Sequence, residues 1–546
     1  MKTLIFNATI VDGTGSAAYT GDIVLENDRI ADIIPHPIEK SINRKIEKFP
    51  EHPSAIEKSI NRQIEKFFDS SGCLVTPGFV DSHTHSDAYL VIEPEAPSKI
   101  SQGITTEVNG QCGGSIAPRY GEARLSSDWS ALLGDRLVWR SLGEYREVLE
   151  RVRPAVNTVE FIGHNTLRSS VMGYRAAVAG EDELKEMSRL LEKSLDEGGW
   201  GLTTGLIYQP GKYSTPEEVK ALAKTAAAKG GLYATHMRSE GDRILEAIDE
   251  VIDLARTTGI KAEISHLKTS GRTNWGKLDQ VFAKIEAGMA EGVLLGSDRY
   301  PYCAAGTDLD IVLSDWAQEG GVPAEIERIK NAANRSRIID EINASPRDWS
   351  TVMIGGTWHP DNKRFSGRYV SDILANAIEK FSVGDLLVSI LEKDGFKTGG
   401  FFFGMSEENL DRILLKPWIV PGSDASLRAP WGPLGNDHPH PRAYSTMPEF
   451  YRRVRALGVS REEAVRRMTS LPCRRFGIQG RGTIEKGAFA DLVIWKEEEF
   501  KSNSTYADPH HFASGVRQVF VNGALTYDRG EFTGNRAGRF LERKSN

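Results

Sequence analysis

The sequence predicts an α/β protein in which parallel strands and helices alternate, set inside a small β domain that both chain ends build. Three observations lead there. Short apolar runs alternate with amphipathic helical stretches from about residue 75 to 475. Both ends of the chain read as short strands separated by turn residues. The polar residues suited to chemistry fall just after the apolar runs. Alternation on this scale implies parallel strands, in a barrel or an open sheet. A barrel gathers its active site at the C-terminal ends of its strands.

At the N-terminus, residues 4–10 alternate, and residues 22–25 and 29–34 flank Glu26-Asn27-Asp28, a hairpin signal. At the C-terminus, residues 490–495 (ADLVIW) and 516–522 read as strands, with Asn522-Gly523 as a turn. The expected small β domain is therefore residues 1–74 plus 476–546, with residues 75–475 inserted into it.

Within its first part lies an internal repeat. Residues 38–49 read IEKSINRKIEKF and residues 56–67 read IEKSINRQIEKF, a period of 18. In each copy three Ile and a Phe fall on one helical face, and Pro50 and Pro53 would break a continuous helix. The expectation is a helical hairpin inserted at 38–67, as a tolerated surface insertion or as a partner-binding helix pair. In the middle domain, residues 158–162, 231–235 and 260–265 are expected as strands. Residues 184–196, 216–229 and 242–257 are expected as helices.

The chain has 546 residues, 68 Lys plus Arg and 75 Asp plus Glu, so the net charge is 68 − 75 = −7. That balance speaks against a nucleic-acid partner, which selects a basic face. Hydrophobic residues at 40% and charged residues at 26% argue against global disorder. Four cysteines make no disulfide framework and point to a reducing compartment or to thiol chemistry at a site. No apolar run of membrane-spanning length is present, and the opening MKTLIFNATIVDGTG lacks a signal-peptide core. A cytoplasmic protein without membrane contact is expected. No glycine-rich nucleotide loop follows any expected strand.

His83-Thr84-His85 ends the apolar run 74–82, and histidines at i and i+2 on a strand face one side and can share an ion. Cys112 follows residues 104–108 within Asn109-Gly110-Gln111-Cys112-Gly113-Gly114. A lone cysteine is commonly a small hydrophobe. At a glycine-rich strand end it is also a candidate thiolate ligand, and sulfur with imidazole favours zinc. His236 follows residues 232–235 and His266 follows residues 262–265, one βα unit apart. Either alone reads as a structural histidine; two on successive strand ends, with H-x-H upstream, read as ligands. Asp424 follows residues 418–423. It suits either a turn or a proton shuttle beside a metal.

The ordered set His83, His85, Cys112, His236, His266 and Asp424 resembles the amidohydrolase superfamily, and within it the D-aminoacylases, or N-acyl-D-amino-acid deacylases. Supporting runs are GITTEVNGQCG (103–113), GHNTLR (163–168), GLTTGLIYQPG (201–211), YATHMRSEGD (233–242), SHLKTSG (265–271), DRYPY (298–302) and PGSDAS (421–426). The resemblance spans nearly the whole chain apart from 38–67. It implies a TIM-like (β/α)8 barrel inserted into a small β-sandwich domain, and zinc-dependent hydrolysis of N-acyl-D-amino acids to a carboxylate and a free D-amino acid.

The resemblance further implies one tight Zn2+ site of Cys112, His236 and His266, and a second, weaker position framed by His83 and His85 with Asp424 beside it. Cys112 fills the bridging role that a carbamylated lysine plays elsewhere in the superfamily. Lys268 and a tyrosine, Tyr300 or Tyr302, are implied to hold the substrate α-carboxylate, with Arg238 as an additional anion contact. A lid insertion at about 303–365 is implied over the site. Trp316, Trp349, Trp358 and His359 either line it or pack ordinary helices. His164 is expected to orient a loop rather than ligate. The alternatives are another reaction of the superfamily, cyclic amide opening or deamination, and a non-catalytic binding barrel. Cyclic amidases need the missing lysine, many deaminases carry a Glu where Ser239 stands, and a non-catalytic member would lack ligands that are present here.

Overall fold

A computed structural model describes residues 2–36, 64–125, 127–377 and 380–543. The chain begins with an antiparallel meander, β1 (Lys2–Ile10), β2 (Tyr19–Glu26) and β3 (Arg29–Pro35). The tight β2–β3 turn is made by Asn27, which takes the left-handed conformation at φ 54°, one that Asn tolerates better than most residues. β4 (Ile64–Asp69) and β5 (Leu74–Pro77) then lie parallel to β1, one after the other along its other edge.

β4 corrects the helical expectation for the end of the repeat. Residues 64–67 of the second copy are extended, because β1 offers an unpaired edge and the Phe68 ring packs edge-on to Phe520 at 5.2 Å. Pairing with a waiting strand outweighs a local helical period. The remainder of the repeat lies outside the described residues.

After Gly78 the chain leaves this sheet. Parallel strands follow: β6 (Phe79–Asp81), β7 (Ile104–Asn109), β8 (Asn157–Glu160), β9 (Ile162–Gly163), β10 (Gly201–Gly205), β11 (Leu232–His236), β12 (Lys261–Ile264) and β13 (Leu295–Arg299). The single apolar run 74–82 thus serves two sheets. Gly78 is required at the crossing, since a Cβ there would stand 2.0 Å from Thr105 Oγ1.

β14 (Ala304–Asp308), β15 (Val352–Ile354) and β16 (Gly399–Phe403) form a separate antiparallel sheet in the order β14-β16-β15. Around it, Leu309, Ile338, Val352, Leu387 and Leu391 share a hydrophobic core of their own. β17 (Ile419–Pro421) returns to the parallel strands beside β13. β18 (Leu492–Trp495), β19 (Val516–Val521), β20 (Ala524–Asp528) and β21 (Glu531–Phe532) close the chain.

β18 pairs antiparallel with β5, so strands from both ends make one sheet in the order β21-β20-β19-β18-β5-β1-β2-β3. The parallel strands run β6-β7-β8 and β17-β13-β12-β11-β10-β9. Only Phe161 separates β8 from β9. At the other end, Ser82 N donates to Pro421 O at 3.3 Å and Asp424 N to His83 O at 2.8 Å, joining the ends of β6 and β17.

The connecting helices bury one face each, as their periodicity requires. In Glu181–Asp196, Met187, Leu190, Leu191 and Leu195 turn inward. In Pro216–Ala228 the Thr215 hydroxyl caps the first turn by accepting from Glu218 N, and Pro216 starts the helix where its missing N–H costs nothing. Among the described residues no helix is long and apolar enough to cross a membrane.

Candidate metal centre and active site

Parallel strands bring their C-terminal ends to one side, and that is where the expected residues meet. His236 ends β11, His266 lies two residues past β12, and Asp424 lies three past β17. His83 and His85 follow β6, and Cys112 follows β7. Three of them, Cys112 (φ 51°), His266 (φ 39°) and Asp424 (φ 50°), adopt left-handed backbone. This conformation costs a non-glycine residue about 1 kcal/mol or more, and it concentrates at functional sites where the surroundings enforce it.

Cys112 Sγ lies 3.3 Å from His83 Nε2 and 3.5 Å from His266 Nε2. Asp424 Oδ1 lies 3.1 Å from His85 Nε2 and 3.4 Å from His83 Nε2. The donor atoms of His83, Cys112, His266 and Asp424 all fall within 4.8 Å of one another, as do those of His236, Glu240 and His266. The His236 and His266 rings stand 4.5 Å apart at 78°. Both His236 ring nitrogens are buried without a hydrogen-bond partner.

The charges are tuned to one another. Burial opposes the thiolate of Cys112, yet the adjoining His83 and His266 pull its pKa well below that of a free thiol. Burial opposes the imidazolium of His83, but Asp298 and Cys112 carry it well above the ordinary value. His85 rises to about 9 against its burial, through Asp424 and Cys112. Burial would raise the Asp424 carboxyl, but Arg442, whose Nη1 sits 2.8 Å from Asp424 Oδ2, holds it well below the carboxylate range.

Of the expected carboxylate contacts, Lys268 is buried beside the site, donating to Glu240 and to the His266 carbonyl at 3.1 Å. Tyr300 is fully buried with the Arg299 guanidinium 4.0 Å and the Arg442 guanidinium 4.7 Å from its ring, and its hydroxyl has no partner. Burial raises its phenol, but Lys268, Arg299 and Arg442 lower it overall. Tyr302 instead packs on His440 at 5.2 Å and on Tyr506 at 6.4 Å. Arg238 is committed elsewhere: Glu250 takes its Nε at 3.1 Å and its Nη2 at 3.0 Å, and the Ser214 carbonyl takes Nη1. The Nε–Nη2 edge that would take a substrate carboxylate side-on is thus occupied by Glu250, and Arg238 does not line the cavity over the site.

A cavity of about 730 Å³ opens over His85, Cys112 and Asp424, with Tyr208, Trp358 and Arg442 in its wall. Of the four residues weighed for the lid, Trp358 lines it. Trp316 and Trp349 pack against the core of the 304–403 segment. His164 is buried 2.8 Å from Glu218, away from the ligand set.

Sequence reasoning missed four residues. Asp298 is the penultimate residue of β13, with Oδ2 3.2 Å from His83 Nδ1 and Oδ1 accepting from His266 N at 2.9 Å. Its signal was present, as the first residue of DRYPY at a strand end. Tyr208 sits in GLIYQPG and places its ring 5.1 Å from His236. Glu240 comes from a loop and Arg442 from the first position of helix Arg442–Ala456, where no periodicity marks either.

The sequence pattern of the Amidohydrolase family matches residues 66–527. The D-aminoacylase of Alcaligenes xylosoxydans xylosoxydans is 32% identical over 99% of this chain and 97% of its own length. The chain belongs to the D-aminoacylase branch of the amidohydrolase family. Within this amidohydrolase branch, a solved D-aminoacylase superposes with a TM-score of 0.79 at 31% identity over 99% of both chains. That protein is described with a binuclear metal centre showing one-metal activation and second-metal attenuation. The N-acyl-D-glutamate deacylase of Bordetella bronchiseptica superposes equally well, TM-score 0.79 at 29% identity over 99% of both chains. It was solved with zinc and a phosphonate inhibitor that mimics the tetrahedral intermediate of its reaction.

Proposed function

We propose that this amidohydrolase is a zinc-dependent hydrolase that cleaves the amide bond of N-acyl-D-amino acids. The observation that carries this reading is the convergence of His83, Cys112, His266 and Asp424, with His236 beside His266, under a cavity lined by His85, Cys112 and Asp424. The donor chemistry supports zinc: thiolate sulfur with imidazole nitrogens is a set that ion favours. The orphaned Nδ1 of His236 supports it independently, since a buried polar atom without a partner is costly. In this reading Cys112, His236 and His266 hold the tight ion, and His83 and His85, with Asp424 beside them, frame a weaker position. Zinc bound there would supply a Lewis acid for the amide carbonyl and lower the pKa of an attacking water towards about 7.

The chain's own residues do the rest. Asp424 is held ionised by Arg442, so it can accept the water proton and then pass it to the leaving nitrogen. Tyr208, in the cavity wall beside His236, offers a hydroxyl to the amide carbonyl oxygen. Lys268, Tyr300 and Arg442 cluster around one buried hydroxyl and suit the substrate α-carboxylate, and charge-assisted bonds there fix the stereocentre. With that carboxylate fixed, the L enantiomer must misplace either its side chain or its amide.

We read the parallel strands as a (β/α)8 barrel, with β8 and β9 as one interrupted strand and the β6–β17 hydrogen bonds as its closure. The terminal sheet is read as a sandwich folded on itself, since Ile5, Ile23, Val75, Leu492 and Phe520 share one core. The 304–403 segment is read as a lid within the 75–475 domain. Four unpaired cysteines support a cytoplasmic setting.

The test is hydrolysis of paired N-acetyl-D- and N-acetyl-L-amino acids (Met, Leu, Glu and Asp) by zinc-loaded protein, with released amine quantified. Release from D forms alone is expected. Zinc-bound protein that releases nothing from any D form would overturn the reading.

A further inference from the structure

We infer that Glu240 is a positioning residue that orients the histidine ligands from behind and fixes which nitrogen of His266 is open to the metal. The inference rests on the zinc reading above.

Glu240 follows β11 on the loop that leaves His236, and its side chain is 11% exposed. Its Oε1 lies 2.9 Å from His266 Nδ1, and its Oε2 lies 3.5 Å from His236 Nε2. The opposite nitrogen of His266, Nε2, faces Cys112 Sγ at 3.5 Å. One carboxylate therefore meets the rear edges of two neighbouring ligands. The loop that carries it is itself tied down, with Ser270 N donating to Glu240 O at 2.7 Å and Asn274 Nδ2 to Asp242 Oδ1 at 2.9 Å.

Two groups compete for His266 Nδ1. Lys268 Nζ stands 2.7 Å from it and is a donor; Glu240 is an acceptor. Were Lys268 to donate there, Nδ1 would give up its lone pair. The ring hydrogen would then sit on Nε2, closing that nitrogen to a metal. With Glu240 accepting from Nδ1–H, the Nε2 lone pair faces Cys112. Lys268 meanwhile keeps two acceptors, Glu240 and the His266 carbonyl. The second arrangement pairs the His266 Nδ1–H and two of the three Lys268 protons, and it leaves the third for a substrate anion. A carboxylate behind a metal-bound histidine fixes its tautomer and ring orientation, and its loss weakens metal binding about 10–100-fold.

The experiment measures zinc affinity by chelator competition in wild type, Glu240→Gln, Glu240→Asp and Lys268→Met, with circular dichroism confirming the fold. Glu240→Gln should bind zinc about 10–100-fold more weakly, and Glu240→Asp should recover part of the loss. Lys268→Met should leave zinc affinity unchanged while raising KM. A folded Glu240→Gln protein with wild-type affinity overturns the inference. So does a loss beyond about 1,000-fold, which would make Glu240 a ligand outright rather than a support. Histidine 1H–15N spectra of zinc-loaded wild type give a reading that needs no variant: His266 should carry its hydrogen on Nδ1, and a bare Nδ1 overturns the inference. Zinc affinity is read without substrate. Protein that binds zinc as described yet hydrolyses no N-acyl-D-amino acid would sink the proposed reaction and leave this role of Glu240 standing.

Discussion

At Asp424 one carboxylate has three neighbours with distinct duties: His83 and His85 set its place, and Arg442 keeps it charged. Asp424→Asn keeps the shape and removes the base. The expected outcome is a fall in kcat of about 10²–10⁴-fold with zinc content retained, measured by steady-state kinetics and metal analysis. The two tyrosines of DRYPY also separate here. Tyr300 lies among Lys268, Arg299 and Arg442, whereas Tyr302 lies among His440 and Tyr506. Tyr300→Phe should raise KM about tenfold by removing one hydrogen bond to a charged group, while Tyr302→Phe should leave KM near wild type. Equal effects from both would disprove the assignment. The clustering of the six strand-end residues was legible because a polar residue at the end of an apolar run carries a positional signal. Glu240, on a loop, and Arg442, at the start of a helix, were not, since both acquire direction only from tertiary contacts. Arg238 misled for a related reason: its partner Glu250 lies a helical stretch away, and nothing in the sequence marks them as paired.

Among the elements, helices and parallel strands were the most readable. The expected 184–196, 216–229 and 242–257 correspond to Glu181–Asp196, Pro216–Ala228 and Ile244–Thr258. Each carries enough turns for the apolar stripe to stand out. The repeat shows the opposite case: its helical period was real as a pattern, yet at 64–67 an open strand edge decided the backbone.

Two tests belong at this scale. Gly78→Ala would drive a methyl into Thr105, and thermal unfolding should show about 1–3 kcal/mol of destabilisation. Helices His164–Met172 and Pro216–Ala228 are joined by buried Glu218, which lies 2.8 Å from His164 Nε2 and 2.5 Å from Arg168 Nη1. Burial raises its carboxyl, but His164 and Arg168 bring it below its ordinary 4.5. A lowered folded-state pKa gives stability that is present above the ordinary value and lost as pH falls through the folded one. Glu218→Gln should therefore cost on the order of 3 kcal/mol at neutral pH, and the gap to wild type should close in denaturation series taken below pH 4.5. A gap that persists undiminished would rule out the charge as its source.

For the molecule as a whole, the joining of both ends was visible because each end alone had too few strands to bury a face. β18 answers β5, and the ends become one sheet. Strands β18–β21 are thus part of the fold's foundation. Truncation after Gly477 should leave the β18-facing edge of β5 unpaired and Val75 and Trp495's neighbours exposed, giving insoluble or dye-binding protein. A soluble, cooperative, zinc-binding truncation would contradict this.

The separate hydrophobic core under β14–β16 has a consequence for descent. The candidate ligands hang from the parallel strands, while Thr307, Trp358 and Phe401 in the cavity wall come from the 304–403 segment that holds that other core. Substitutions that reshape the wall need not disturb the packing that aims the ligands. A lineage can thus retain one chemistry and trade one side-chain preference for another by drift in a single segment.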